Sequence, residues 1–306
     1  MVGSGDGWVY ALEARTGRLL WRFRAAPAER KIPVYGALLS TWPAASGVLV
    51  QDGTAYVAAG IANYDGTHVY ALDAATGKIK WQNNTSGHLD PQVRSGVSVQ
   101  GHMLLYGGKL CLAGGNAVSP AIYDITDGKC LNDANMLRRV QNNNVLSAQS
   151  RRGWELYQIA RGVVVSGKPF YAHPKYNVYD ASVFNKTLIA SIGDRDIAWV
   201  NNSKLMCFAR DDAGRGERYL AAWGKPQIPG LKPLWERNCE GSVALALCRN
   251  AVVVARTLEI VALNLKDGTV LWTHPLPSSP IPWGLAVNRD GRVVVTLEDG
   301  RVLCFG

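Results

Sequence analysis

The sequence predicts an all-β protein, a β-propeller of about seven four-stranded blades, and three observations predict it. One phrase recurs: VYALEARTGRLLW at 9–21, VYALDAATGKIKW at 69–81 and IVALNLKDGTVLW at 260–272, with a degraded copy, AIYDITDGKCLN, at 121–132. Within each phrase, apolar residues alternate with small or polar ones on either side of a glycine turn, as in paired half-buried strands. The phrase also returns at intervals of a few tens of residues, which signals stacked structural copies. A four-stranded antiparallel sheet cannot cover both of its faces alone, and radial stacking of such sheets covers them.

The clearest unit gives the blade its parts. SGVLVQ, TAYVAAG, HVYALDA and KIKWQN read as four successive strands between residues 46 and 83. Asp52-Gly53 is the tight turn between the first two. Between the last two, Asp73 and Thr76 carry short oxygen side chains able to bond the turn backbone, and Gly77 supplies a positive φ. The same alternation places blades near 1–24, 47–83, 97–133, 160–191, 196–223, 242–274 and 283–306. MVGSGDG at the start reads as the tail of a second strand, and GRVLCFG at 300–306 as a third strand. The expectation is one propeller domain over 1–306, a fragment of or domain from a longer protein. Its two ends are expected to pair, because exposed sheet edges invite aggregation.

The pattern Ala-x-Asp-x-x-Thr-Gly-x-x-x-Trp resembles the repeat of the pyrroloquinoline-quinone-like (quinoprotein dehydrogenase-like) propellers. Ala71, Asp73, Thr76, Gly77 and Trp81 match it fully. Ala11, Thr16, Gly17 and Trp21 match with Glu13 for Asp, and Ala262, Gly268 and Trp272 match with Asn264 and Asp267 substituted. The resemblance implies that Trp21, Trp81 and Trp272 pack across to a neighbouring blade. It also implies an extracytoplasmic location, and it raises a quinone dehydrogenase with PQQ and calcium as one function. Quinoprotein alcohol dehydrogenases hold the quinone against a disulfide between adjacent cysteines, and this chain has no Cys-Cys step. The expectation is therefore no cofactor, with PQQ and calcium kept as the alternative.

Composition excludes several classes. No apolar run approaches the ~18 residues of a spanning helix, and no signal peptide opens the sequence. The net charge of +9 could attract nucleic acid, but the basic residues form no runs and no recognition motif presents them. The six cysteines, Cys111, Cys130, Cys207, Cys239, Cys248 and Cys304, form no CxxC pair, which argues against zinc ribbons and thiol redox chemistry. Most lie in apolar strands and read as buried free thiols.

Propeller turns alternate between two ends. One end carries the Thr-Gly turns. The other carries long segments at 24–47, 83–96, 134–160, 222–241 and 274–284. Long ordered loops on a rigid scaffold usually carry function. His88 and Asp90, two apart in GHLDP, suit an acid–base or metal-binding pair. Glu155 and His173 complete the candidate catalytic set, with Asp65 and Glu236 as further carboxylates. Arg94, Asn116, Arg139, Trp154 and Trp283 are candidate ligand contacts, since aromatic faces with amides and arginines suit a polar or acidic glycan. Trp42, Trp235, Arg30 and Asn83 belong to the same surroundings. The first function expected is a binding module for a glycan or a protein partner. A glycoside hydrolase or lyase is the alternative, and the dehydrogenase comes third.

Overall fold

A computed structural model describes residues 1–34, 36–62, 65–87, 96–99, 103–106, 108–112, 121–131, 164–165, 168–169, 188–191, 197–201, 203–208, 233–288 and 290–306. The described residues are in strands, turns and coil, and the strands pair antiparallel throughout. The fold class is all-β, of the β-propeller kind. The chain forms two compact units, Met1–Arg161 and Gly162–Gly306.

In the first unit, β1 (Val2–Gly3), β2 (Trp8–Leu12) and β3 (Leu19–Arg24) make a three-stranded sheet. A two-stranded ribbon follows, β4 (Lys31–Val34) and β5 (Ala37–Ser40), in a stretch that reads from sequence as loop. Next comes a complete blade of β6 (Val48–Gln51), β7 (Thr54–Ala59), β8 (His68–Asp73) and β9 (Ile79–Asn83), ordered as in the chain. β10 (Met103–Tyr106), β11 (Lys109–Leu112) and β12 (Ala121–Asp124) form the next sheet, and Cys130 adds a single bridge to Tyr123.

In the second unit, β13 (Val164–Val165) pairs with β14 (Lys168–Pro169). A blade of β15 (Leu188–Ser191), β16 (Ile197–Asn201), β17 (Lys204–Phe208) and β18 (Trp235–Asn238) follows. Another contains β19 (Ser242–Leu247), β20 (Ala251–Arg256), β21 (Glu259–Asn264) and β22 (Val270–Pro275). The last sheet has β23 (Pro280–Val287), β24 (Val293–Leu297) and β25 (Val302–Phe305). The blade limits drawn at 160–191 and 196–223 are thus corrected, because one sheet runs from Leu188 to Asn238. Its third and fourth strands are separated by residues 209–234. No Thr-Gly phrase marks that connection, so the periodic signal fails there.

The turns behave as their chemistry requires. Asp52 and Gly53 have φ of 48° and 69°, the double left-handed geometry of a tight hairpin turn. In the Thr-Gly turn of the second sheet, Asp73 Oδ1 accepts from Thr76 N (2.9 Å), Thr76 Oγ1 (2.8 Å) and Ala75 N (3.2 Å), while Gly77 N donates to Asp73 O (2.8 Å). Where Thr is displaced, the oxygen work is shared. Asn264 accepts from Lys266 N, and Asp267 accepts from Thr269 N and Oγ1. Each turn follows a register shift at the same place, Ala11/Leu12, Ala71/Leu72 and Ala262/Leu263.

These turns are also docking points. A Cβ on Gly77 would lie 2.8 Å from the Trp21 ring, and one on Gly268 would lie 2.7 Å from Trp235; one on Gly128 would intrude on Trp81. Each indole Nε1–H donates to the carbonyl of the residue after the turn's Asp or Asn: Trp21 to Ala74 (3.2 Å), Trp81 to Ile125 (2.8 Å) and Trp235 to Leu265 (2.7 Å). Two residues beyond the Trp, a second donor often reaches the glycine carbonyl: Asn83 Nδ2 to Gly128 (2.8 Å) and Arg237 Nε to Gly268 (3.0 Å). Trp21 and Trp81 therefore pack between sheets, as expected. Trp235 and Asn83, read above as loop groups facing a ligand, are corrected to the same structural role. Trp272 is the exception, 39% exposed at the matching position of β22.

The cores lie between neighbouring sheets. Tyr56, Val69 and Trp81 of one sheet meet Leu110, Leu112 and Tyr123 of the next. Leu205, Cys207 and Trp235 meet Val252, Val254 and Leu263. Covered on both sides, β8 and β20 are buried almost end to end rather than alternately. The six cysteines are free, with Cys111, Cys130, Cys207 and Cys239 buried and Cys304 exposed. Burial pushes the Cys111 thiol up to about 11.

Candidate functional site

At the end of the second sheet away from its Thr-Gly turn, the chain entering β4 meets the loop between β7 and β8. Arg30 holds the two together. Its guanidinium lies 4.7 Å from the Trp42 ring centroid, donates through Nε to Thr41 Oγ1 (2.9 Å) and pairs through Nη2 with Asp65 Oδ1 (3.0 Å). The Trp42 indole N–H donates to Asp65 O (2.5 Å), and Ser40 Oγ accepts from Trp42 N (3.1 Å). The local backbone fits closely, since a Cβ on Gly60 would lie 2.5 Å from Gly66 O.

His68, the first residue of β8, sits under this clasp with its ring edge-on to Trp42 at 6.4 Å. It is 9% exposed, and neither ring nitrogen has a hydrogen-bond partner among the described residues. Burial therefore lowers its pKa and keeps it neutral. Neighbouring Thr67 donates to Val97 O (2.5 Å). Arg30, Trp42 and Asp65 were legible as loop residues of this end, but their mutual contacts join positions 35 apart in sequence. His68 was missed; its only signal is an imidazole opening an otherwise apolar strand.

The clasp is saturated with internal bonds. Arg30 is neutralised by Asp65, one face of Trp42 is covered by Arg30, and among the described residues no nucleophile bonded to a base occurs in it. Its chemistry is that of a scaffold presenting a half-exposed guanidinium. The second unit carries an open groove of about 530 Å³ beside the β20–β21 turn, lined by Glu240, Arg256, Leu258, Glu259 and Pro275 among others. There Arg256 is engaged by Glu259 Oε1 (2.6 Å) and Glu240 O (2.8 Å).

His88, Asp90, Arg94, Asn116, Arg139, Trp154, Glu155 and His173 lie outside the described residues, as does the side chain of Trp283 in β23. Glu236 lies on blade strand β18 and pairs with Lys204 (2.6 Å). Among the described residues, no three His, Cys, Asp or Glu side chains come together to hold a metal ion. No helix among them is long and apolar enough to cross a membrane.

Residues 1–210 match the family model described as outer membrane protein assembly factor BamB. The chain belongs to this family. Its repeat is the one that Trp21, Trp81 and their glycine turns build here, so the pyrroloquinoline-quinone-like propeller resemblance holds. No curated protein sequence matches the chain. Solved structures similar to it include BamB from Moraxella catarrhalis, 14% identical, with a TM-score of 0.43, covering 99% of this chain and 83% of that one. The computationally designed Ika8 protein is 12% identical, with a TM-score of 0.41, covering 99% and 92%. The quinohemoprotein alcohol dehydrogenase ADHIIG from Pseudomonas putida HK5 is 12% identical, with a TM-score of 0.43, covering 96% and 60%.

Proposed function

We propose that this chain is a non-catalytic propeller module that binds a protein partner outside the cytoplasm, in the assembly of outer membrane proteins. The observation that carries this reading is the match of residues 1–210 to the BamB family model. The geometry supports it. Trp272 apart, the residues that define the repeat are committed to turns and to docking between sheets, and the polar cluster around Arg30 is internally neutralised. What remains for function is surface: loops and sheet edges on a rigid frame, which suits recognition of another protein. The glycan-binding and glycoside-hydrolase readings draw no support from the family. That all the blades make one domain is part of the proposal.

The test is titration of the purified chain against the outer-membrane assembly proteins of its source organism, by calorimetry, with a glycan array in parallel. The reading expects saturable binding to at least one assembly protein. Binding to none of them, or hydrolysis of an arrayed glycan, would overturn it.

A further inference from the structure

His68 is buried with both ring nitrogens unpartnered among the described residues. It opens β8 on the face that carries Tyr70 and Leu72, at the end of the core shared with the first sheet, and Trp42 closes that end. A neutral imidazole fits there as an apolar ring. An imidazolium does not, because it brings two donors and a charge that must be bonded or hydrated. The backbone leaves little slack, since a Cβ on Gly60 would lie 2.5 Å from Gly66 O and one on Gly87 would intrude on Thr67 N. What can give way is the set of side chains above: Trp42, Arg30 and Asp65.

The charged groups on the surrounding elements leave one answer to that charge. β3 carries Arg24 and Arg22, the latter 4.8 Å from the Trp8 ring centroid. Before β4, Glu29 pairs with Lys31 (3.5 Å) and Arg30 pairs with Asp65 (3.0 Å). Asp52, Asp73 and Lys80 belong to the far, Thr-Gly end of the sheet, where Lys80 bonds Gly53 O and Thr54 Oγ1. The Tyr70 hydroxyl, on the face of His68, stays protonated because burial raises its pKa. Asp65, three residues from His68, is therefore the carboxylate at hand, and Arg30 holds it.

That pair is also a tether. Arg30 precedes the β4–β5 ribbon, Trp42 follows it, and both bond Asp65. Separate bonds fix the ribbon to the first sheet, Ser40 N to Gly5 O (2.8 Å) and Ala44 N to Ser4 O (3.0 Å).

We propose that His68 is the trigger of an acid-operated latch, in which its protonation releases Arg30 and Trp42 from Asp65 and frees the ribbon from the second sheet. The imidazole takes a proton from solvent and draws the Asp65 carboxylate away from Arg30. A second cation then stands at the Trp42 ring that Arg30 already covers, and the indole swings out, losing its bond to Asp65 O. Release bares Trp42 beside Ile32 and Leu38, which are exposed already. Burial lowers the imidazole pKa while the latch is closed. In the open form it returns toward the ordinary value near 6.5. The closed form is thus favoured above that value, and below it the closed-to-open ratio falls by up to about tenfold per pH unit until the lowered value is passed. The latch is independent of the partner-binding reading.

The experiment follows the intact protein, isotope-labelled at tryptophan and histidine, by NMR from about pH 7.5 to 5. Trp42→Phe identifies the Trp42 indole signal, and through-space contact with that ring identifies His68. The expected result is that the Trp42 Nε1–H signal leaves its hydrogen-bonded position with the midpoint of the His68 titration. The indoles of Trp21 and Trp81, bonded to Ala74 O and Ile125 O, should keep theirs. In His68→Phe the Trp42 signal should stay in place over the whole range. Should that variant fail to fold, the coincidence of the two midpoints in the parent protein decides alone. A Trp42 signal that stays put while His68 titrates, a midpoint apart from that of His68, or a transition that survives His68→Phe overturns the proposal. So does an imidazole that stays neutral to the end of the range. Joint movement of Trp21 and Trp81 overturns it too, since the whole unit would then be unfolding in acid.

Discussion

Four turn glycines offer a controlled measurement of what indole docking contributes. Gly17, Gly77, Gly128 and Gly268 have φ of 72°, 72°, 75° and 70°. An added methyl would cost each of them the same left-handed strain, about 1–2 kcal/mol, partly offset by about 0.4–1 kcal/mol from a stiffer unfolded chain. They differ in what the methyl meets. At Gly17 nothing lies within 4 Å, whereas at Gly77 and Gly268 a Trp ring lies 2.8 and 2.7 Å away and at Gly128 the Trp81 ring is closer still. Displacing a docked indole adds an overpacking cost of about 1–3 kcal/mol. Gly17→Ala should therefore destabilise by about 1 kcal/mol and Gly128→Ala by about 2–4 kcal/mol, with Gly77→Ala and Gly268→Ala between them. Urea midpoints at a common slope provide the comparison. A cycle completes it. Trp81→Ala should itself cost about 3–5 kcal/mol, and in that background Gly128→Ala should fall to the cost of Gly17→Ala. If Gly17→Ala and Gly128→Ala agree within about 0.5 kcal/mol in the parent protein, the indoles do not hold the turns and the reasoning fails.

Other perturbations have signs that the structure dictates. The pKa of His68 is lowered by burial, so its contribution to stability is full above the ordinary imidazole value near 6.5 and is lost as pH falls through the lower folded value. Melting temperature should drop on acidification from about pH 7 to 5, and His68→Phe should flatten that drop; an unchanged slope would refute the assignment. Asp73, Asp124 and Asp267 are held below the usual carboxylate range, first by hydrogen bonds from Thr76, Thr126 and Thr269. Their stabilisation is present above about pH 4 and fades as pH falls through the depressed values, so replacing all three by Asn should shrink the acid-induced loss of stability in that lower range. Among thiols, exposed Cys304 should alkylate within minutes at about pH 8, while Cys111, buried and pushed up to about 11, should resist until the protein unfolds. Mass spectrometry of the labelled peptides reads the order, and early labelling of Cys111 would contradict its burial.

The legible and illegible parts of this fold separate on physical grounds. A turn announces itself locally. Asp52-Gly53 and the phrase from Asp73 to Gly77 need particular residues at adjacent positions, and the structure uses those residues as the chemistry suggests. A strand sandwiched between two sheets announces itself less well, because β8 and β20 are buried on both faces and lose alternation. A blade whose third and fourth strands are separated by residues 209–234 announces itself least. There Trp235 has no phrase before it, and only its seat over Gly268 reveals it as a repeat tryptophan. Exposure is harder still. Trp81 and Trp272 stand in phrases nearly the same in sequence, yet one is 9% and the other 39% exposed. Trp81 sits over the turn glycine Gly128, whereas among the described residues no turn glycine meets Trp272. The clasp follows the same logic: Arg30, Trp42 and Asp65 are each readable as loop residues, but the bonds that neutralise them close a long loop and leave no mark in either segment. A repeat encodes its own turn and the demand for a neighbour. Whether that demand is met is a property of the assembled sheets, as the different exposures of Trp81 and Trp272 illustrate.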